Sequence, residues 1–374
     1  MTTSNNSRNR LSTLYSQQGQ SPWLDNLRRG WITTGELDQW VTSGIRGLTS
    51  NPAIFQKAIE GSEDYDEQFR QLITDGTSVH DAYWDLVTSD IRGALRALRP
   101  VYEASLGTDG FVSVEVDPAL ARDSDQTATA ARALHERLNA PNLMVKIPGT
   151  REGLPAVRTM IGEARSINVT LIFSVQRYSE VMEAYISGLE DAVEDGCDDL
   201  SKIASVASFF ISRTDTEIDR RLEEIGSEEA LSLRGRTAVA QAQIAYRTFI
   251  SVFAGPRWQA LTDKGAQLQR PLWASTSTKN PDYSETLYVD ELIGPNTVNT
   301  MPDNTIAAFT ENGTVARTVD SDFAQSQAVL DAVTGLGIDL DDVAAVLEQE
   351  GVASFVKSFD ELITSLSTKA QSLN

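Results

Sequence analysis

The sequence predicts an α/β protein, a single (β/α)8 TIM barrel with additional helices, on three observations. Short apolar, β-branched runs recur along the 374 residues and alternate with stretches of helical, 3.6-residue periodicity. No glycine-rich dinucleotide fingerprint follows the first run, which disfavours a doubly wound sheet. Polar residues stand at or just beyond the C-terminal ends of the runs, the rim where such a barrel collects its chemistry.

Residues 1–20 are polar, lack the apolar stretch of a secretory signal, and read as a flexible leader with a helix only toward its end. Residues 21–374 read as one domain, a barrel with C-terminal helices. A weak first strand at 22–24 is followed by Asp25, and a second at 45–49 runs into Thr49 and Asn51. Residues 61–107 supply extra helices. The third strand, 111–116, alternates apolar residues with Ser113 and Glu115. The fourth, 143–147, carries Lys146 and stops at Pro148-Gly149, and the fifth, 167–173, carries Asn168 and Thr170. Met182, Tyr185, Ile186, Leu189, Ala192 and Val193 share one helical face, with Gly196 as C-terminal cap. The sixth strand, 203–210, includes Ser208 and Phe210 and leads to Arg213. Two further amphipathic stretches end at Gly226 and at Gly255-Pro256. The seventh strand, 271–275, ends on Ser275. Residues 287–288 read as the eighth, with a further segment near 297–299. Phe355, Val356, Phe359, Leu362, Ile363 and Leu366 mark a C-terminal amphipathic helix. A barrel needs only ~250 residues, so the leader and the extra helices absorb the excess.

A net charge of −21 argues against nucleic acid and anionic membranes as partners, since both need a basic footprint. It leaves room for a small anionic substrate held by a few cations in one pocket. No run of 18 apolar residues suggests a transmembrane helix. One cysteine, Cys197, allows no internal disulfide, and its acidic surroundings oppose thiolate formation. The two histidines, His80 and His135, lie in helix-like segments and read as surface or interface residues. Proton transfer therefore rests on carboxylates, lysine or hydroxyls, and no Cys/His cluster suggests a metal.

Lys146 is the most informative position, a charged residue in Leu143-Met144-Val145-Lys146-Ile147-Pro148-Gly149-Thr150. An ammonium in a buried strand is poorly hydrated, and desolvation favours the neutral amine, a nucleophile for carbonyl carbons. The plain alternative is a strand-end lysine snorkelling to water. Glu115, alternating in Ser113-Val114-Glu115-Val116-Asp117, reads as a general acid/base opposite Lys146. A structural ion pair, or a Mg²⁺ seat with Asp117, is the competing reading. Asn51 fits a helix N-cap or a partner for a substrate hydroxyl. Arg213, ahead of a helix, suits bidentate phosphate binding, or a salt bridge to Asp215 or Glu217. Ser275 to Lys279 offers hydroxyls and a cation, a phosphate lip or simply a polar turn.

Taken in order, Thr-Ser-Asn-Pro at 49–52, Val-Ser-Val-Glu-Val-Asp at 112–117, Val-Lys-Ile-Pro-Gly-Thr at 145–150 and Asn-Val-Thr-Leu-Ile-Phe-Ser at 168–174 resemble the transaldolases. Residues 208–213 and Trp-Ala-Ser-Thr at 273–276 continue the likeness. Val-Asn-Thr-Met-Pro at 298–302 is similar to the long bacterial forms of this class I Schiff-base aldolase superfamily. The resemblance spans residue 23 to the end. It implies a Schiff base on Lys146, with Asp25 as the base at the C4 hydroxyl. Glu115, with Thr170 and a water, is implied as the proton shuttle of imine chemistry. Thr49, Asn51, Asn168 and Ser208 are implied to contact the dihydroxyacetone moiety or frame the lysine, and Arg213 and Ser275 to hold the sugar phosphate. Glu115 and Phe210 stand where the shorter fructose-6-phosphate aldolases carry glutamine and tyrosine. The family's arginine two places after Ser275 is here Ser277, which leaves Lys279 to supply that charge. The likeness further implies no metal or organic cofactor, sugar phosphates as partners, a monomer or homodimer, and a cytosolic location. A barrel that binds sugar phosphate without turnover is the alternative from another class.

Overall fold

Eight parallel strands close on themselves in the computed structural model, which describes residues 10–372. They are β1 (Gln20–Leu24), β2 (Leu48–Thr49), β3 (Val112–Glu115), β4 (Leu143–Pro148), β5 (Ile167–Ile172), β6 (Ser205–Phe210), β7 (Arg270–Ala274) and β8 (Thr297–Met301). Helices separate the strands, and β8 closes the ring on β1 from Gln20↔Thr297 to Leu24↔Met301.

Period-two alternation sorts the strand residues. Val112, Val114, Val145, Ile147, Ile167 and Val169 join the apolar shell under the helices. Their neighbours Ser113, Glu115, Lys146, Asn168, Thr170 and Ser208 take the interior positions and are all buried. Those six polar residues would have no place in the shell, so the pattern itself sets which face is inside.

Three expectations are corrected. Residues 287–288 are not a strand but part of the short helix Leu287–Asp290, and the eighth strand is Thr297–Met301. Tyr288 and Val289 are buried, and a short apolar run does not separate a strand from a buried turn of helix. β8 was the harder to read because Thr297, Asn299 and Thr300 are polar yet buried. The leader is also shorter than 20 residues: Arg10–Gln18 is a helix that buries Leu11 and Leu14. Arg10 donates to the Thr310 and Glu311 carbonyls, tying this helix to Asp303–Asn312. The rest of the expected leader, residues 1–9, lies outside the described residues. His135, expected at a surface or interface, is buried, and burial pushes its pKa down to about 4. Among the described residues, no helix is long and apolar enough to cross a membrane.

The N-terminal end of the barrel is plugged by Asp109, which is 1 % exposed. It accepts from Trp23 Nε1 at 2.9 Å and Arg46 Nε at 2.8 Å, and lies 3.4 Å from Arg270. Ser21 donates to it as well. Trp23 fills the space so closely that a Cβ on Gly47 would lie 2.3 Å from its ring, so only glycine fits there. Removing one partner of a buried charge cluster strands the others. Asp109→Ala is therefore expected to lower unfolding free energy by about 3 kcal/mol, read from the denaturation midpoint; an unchanged midpoint would contradict the plug.

Candidate active site

The opposite end, where the strands terminate, opens into a cleft of about 870 Å³. Asp25, Thr49, Asn51, Lys146, Thr170, Ser208, Phe210, Arg213, Ser275 and Lys279 all line it. Two expected site residues do not reach its wall. Glu115 lies beside Lys146, and Asn168 lies beneath the surface.

Lys146 extends from the middle of β4, register-paired with Glu115 of β3 on one side and Asn168 of β5 on the other. Its side chain is only 6 % exposed, so the snorkelling alternative does not apply. Nζ lies 3.0 Å from Glu115 Oε2 and donates to the Ser50 carbonyl at 3.1 Å. Neither Glu115 oxygen receives a well-directed hydrogen bond among the described residues, and neither does the buried Thr170 hydroxyl. Burial pushes the Glu115 carboxyl up from its ordinary value; Lys146 opposes that rise and the nearby Asp25 adds to it. Asp117 takes no part, since its side chain accepts from Ala119 N and caps the turn after β3.

Asp25 follows β1, held by its backbone N–H on the Met301 carbonyl at 2.8 Å. Thr49 Oγ1 donates to its carboxylate at 2.7 Å and meets Thr300 Oγ1 at 2.6 Å. Burial raises the Asp25 pKa, while the Thr49 hydroxyl and the charges of Lys146, Arg213 and Lys279 pull it back. Beneath the lysine, Ser208 Oγ donates to Asn168 Oδ1 at 2.7 Å and Asn168 Nδ2 donates to Ser113 Oγ at 3.0 Å. That chain spans β6, β5 and β3 and holds the Asn168 amide in one orientation. Asn51 is the N-cap of Pro52–Glu60, accepting from Ile54 N at 3.0 Å, which leaves its amide N–H groups toward the cleft.

Arg213 rises from the first turn of the helix Ser212–Ile225. The acids expected as its partners are engaged elsewhere. Asp215 accepts from the Tyr288 hydroxyl at 2.8 Å, and Glu217 pairs with Arg220 and Arg221 at 2.8 Å each. Ser275 sits across from it with φ of +57°, and its hydroxyl meets Ser212 Oγ at 2.8 Å. Ser277 and the exposed Lys279 continue along the same lip.

Four contributors escape a reading of the sequence. Ser50 acts through its carbonyl, which carries no residue-type signal. Ser113 alternates visibly in its strand but acts only through Asn168. Thr300 sits at an alternate position in 297–301, so a correct eighth strand exposes it. Phe355 lines the cleft from a distant helix and has only a periodic apolar pattern to mark it.

Arranged this way, the cleft offers the nearly buried Lys146 amine backed by the buried Glu115, the half-buried Asp25, both carboxyls with raised pKa values, and an Arg213 guanidinium without an ion pair among the described residues. Such a set suits covalent capture of a carbonyl, proton transfer on either side of it, and an anionic group held at the lip.

Known proteins were compared with this chain. The family model described as Transaldolase/Fructose-6-phosphate aldolase matches residues 22–366. The transaldolase of Mycobacterium leprae (strain TN) is 51 % identical over 351 residues, 93 % of each chain. That of Saccharopolyspora erythraea is 52 % identical over 350 residues, 93 % of this chain and 94 % of its own. Transaldolase 1 of Streptomyces coelicolor is 50 % identical over 359 residues, 96 % of this chain and 94 % of its own. With the family model covering nearly the whole barrel and relatives matched end to end at half identity, the chain belongs to the transaldolase/fructose-6-phosphate aldolase family.

Proposed function

We propose that this chain is a transaldolase, which moves a three-carbon dihydroxyacetone unit between sugar phosphates through a Schiff base on Lys146. The observation that carries this reading is a lysine amine in the wall of an open polar cleft, 3.0 Å from a carboxylate buried behind it. The uncharged amine attacks the ketose carbonyl carbon, and loss of water from the carbinolamine gives an iminium. Glu115, with the Thr170 hydroxyl and a water, carries the protons of that dehydration. Asp25 takes the C4 hydroxyl proton, the C3–C4 bond breaks, and its electrons flow into the iminium to give an enamine. An aldose phosphate leaves. The enamine then adds to a second aldehyde carbon, Asp25 returns the proton to the new alkoxide, and water hydrolyses the iminium to free Lys146.

Arg213 and Ser275, with Lys279 in place of the family's second arginine, hold the phosphate. The donors are sedoheptulose 7-phosphate or fructose 6-phosphate, and the acceptors glyceraldehyde 3-phosphate or erythrose 4-phosphate. Sugar phosphates are then the partners and the cytosol the compartment, the chain acting as a monomer or homodimer without a cofactor. The second reading, a fructose-6-phosphate aldolase releasing free dihydroxyacetone, is favoured by the breadth of the family model alone. Glu115 and Phe210, which line up against glutamine and tyrosine in those aldolases, support transfer. Comparing free dihydroxyacetone with transfer to added glyceraldehyde 3-phosphate separates the two: net release as the main reaction would overturn the transferase reading.

Borohydride in the presence of fructose 6-phosphate is expected to fix a covalent adduct on Lys146, mapped by peptide mass. Lys146→Ala is expected to abolish the adduct and to lower kcat by about a thousandfold or more. An adduct elsewhere, or full turnover by the variant, refutes the Schiff-base role. Glu115→Gln is expected to slow imine formation by about 10²–10⁴-fold, seen in pre-steady-state trapping, with phosphate binding retained.

The pH dependence follows from Asp25. It acts as a base only when ionised, so kcat/KM falls as pH drops through a pKa raised above the ordinary aspartate value of 3.8. Thr49 donates to the ionised form and lowers that pKa, so Thr49→Val is expected to move the acidic limb of the kcat/KM profile to higher pH. A limb that stays in place, or moves down, contradicts the assignment.

A further inference from the structure

Arg213 reaches the cleft without an ion pair to any carboxylate among the described residues, so something else must fix its direction. Two aromatic rings do. Its guanidinium carbon lies 5.4 Å from the Phe210 ring centroid and 5.7 Å from that of Phe355. Phe210 ends β6, one strand residue chain-adjacent to the helix that carries Arg213. Phe355 comes from the C-terminal helix Leu340–Gln371 and is 3 % exposed.

That helix crosses the rim of the barrel and is held on both sides of Phe355. Before the ring, Asp342 pairs with Arg221 at 2.7 Å and Glu348 with Arg122 at 2.7 Å. After it, Glu361 accepts from Gln56 at 3.1 Å and Lys369 pairs with Asp66. Gly351, one turn earlier, brings the helix against the site: a Cβ there would lie 2.9 Å from Leu171 Cδ2 and 3.6 Å from Arg213 Nη1. The ring is thus delivered to a set place by the longest helix of the described residues, not by the barrel.

We propose that Phe355 is a positioning residue for phosphate recognition, holding the Arg213 guanidinium against Phe210 with its N–H edge turned into the cleft. This deepens the proposed function and rests on its assignment of Arg213 to the phosphate. A guanidinium stacked on aromatic faces keeps its in-plane donors free for a bidentate oxyanion. A carboxylate in the same place would occupy those donors and compete with the substrate. The C-terminal helix therefore contributes to the preference for phosphorylated sugars without touching the reacting carbons.

Phe355→Leu keeps an apolar side chain and removes the ring, and Phe355→Met serves as a second replacement should the first fold poorly. The full-length variants are compared for KM and kcat with fructose 6-phosphate and for inhibition by inorganic phosphate. Trapping by dihydroxyacetone and borohydride reads imine formation on a ligand that lacks phosphate. The expected result is a rise of about three- to tenfold in KM and in the phosphate inhibition constant, with kcat and dihydroxyacetone trapping unchanged. Phe355→Tyr, which restores a ring, is expected to recover the wild-type values. An unchanged phosphate inhibition constant, or equal losses with dihydroxyacetone and fructose 6-phosphate, overturns the proposal. Arg213→Ala under the same measurements separates the two levels. If it leaves phosphate inhibition unaltered, the phosphate role of Arg213 fails. If it weakens inhibition while Phe355→Leu does not, only the role of Phe355 fails.

Discussion

Everything in this barrel accommodates one costly arrangement, an amine and a carboxylate 3.0 Å apart and almost wholly withdrawn from water. Desolvating two ions costs several kcal/mol each, and their attraction offsets that only with good geometry and further hydrogen bonds. Lys146 has one such bond, to the Ser50 carbonyl, while Glu115 has no well-directed donor. As a pure stabiliser the pair is therefore poor. The apolar shell outside the strands must carry it, and what remains is an under-bonded carboxylate held beside an amine, a pair placed to exchange protons.

The two ends of the barrel handle charge in opposite ways. At the N-terminal end, Asp109 gathers Ser21, Trp23, Arg46 and Arg270, and little is left over for chemistry. At the C-terminal end, among the described residues, the buried oxygens of Glu115 and Thr170 have no hydrogen-bond partner, and Arg213 stacks on rings instead of pairing. A closed barrel permits this division because strand alternation delivers polar residues to its interior, while the surrounding helices pack on apolar side chains, Phe209 and Trp273 among them.

That division also explains what the sequence disclosed. Glu115, Lys146, Asn168 and Thr170 were legible because each interrupts an apolar run, where a polar residue is expensive unless it serves an interior purpose. Arg213 and Ser275 were legible from their place after a strand and before a helix or turn. The eighth strand was legible only as a further segment near 297–299, because Thr297-Val298-Asn299-Thr300-Met301 has too few apolar residues to stand out, whereas Leu287-Tyr288 imitates a strand. The helix Arg10–Gln18 was legible only as a helix toward the end of the leader, without bounds, because two buried leucines in a polar context give no clear period. Asn51 stayed ambiguous for a different reason: it caps a helix with its oxygen and keeps its amide donors, so both readings describe the same side chain. Phe355 was invisible since its contact with Arg213 depends on how a remote helix lies across the rim, and tertiary placement leaves no local mark.

Backbone strain links these parts. Leu171 and Ser275 adopt φ values of +60° and +57°, where non-glycine residues pay a steric cost of about 1–3 kcal/mol each. Ser275 lines the cleft, and Leu171 lies outside it, under the C-terminal helix. At Leu171 the β5–β6 register shifts between Val169 and Ile172, an irregularity that lies directly beyond Thr170 and turns Leu171 toward the C-terminal helix. At Ser275 the same left-handed turn lets its carbonyl accept from Ser212 N at 3.0 Å and sets its hydroxyl beside that of Ser212. Arg213 therefore follows a residue tied to one strained turn, while the other strained turn supports the helix that brings Phe355 to it. Strain at both points persists because β5, β7 and the C-terminal helix over-determine them. The same contacts that tolerate the strain also fix where Arg213 and Ser275 stand at the lip of the cleft.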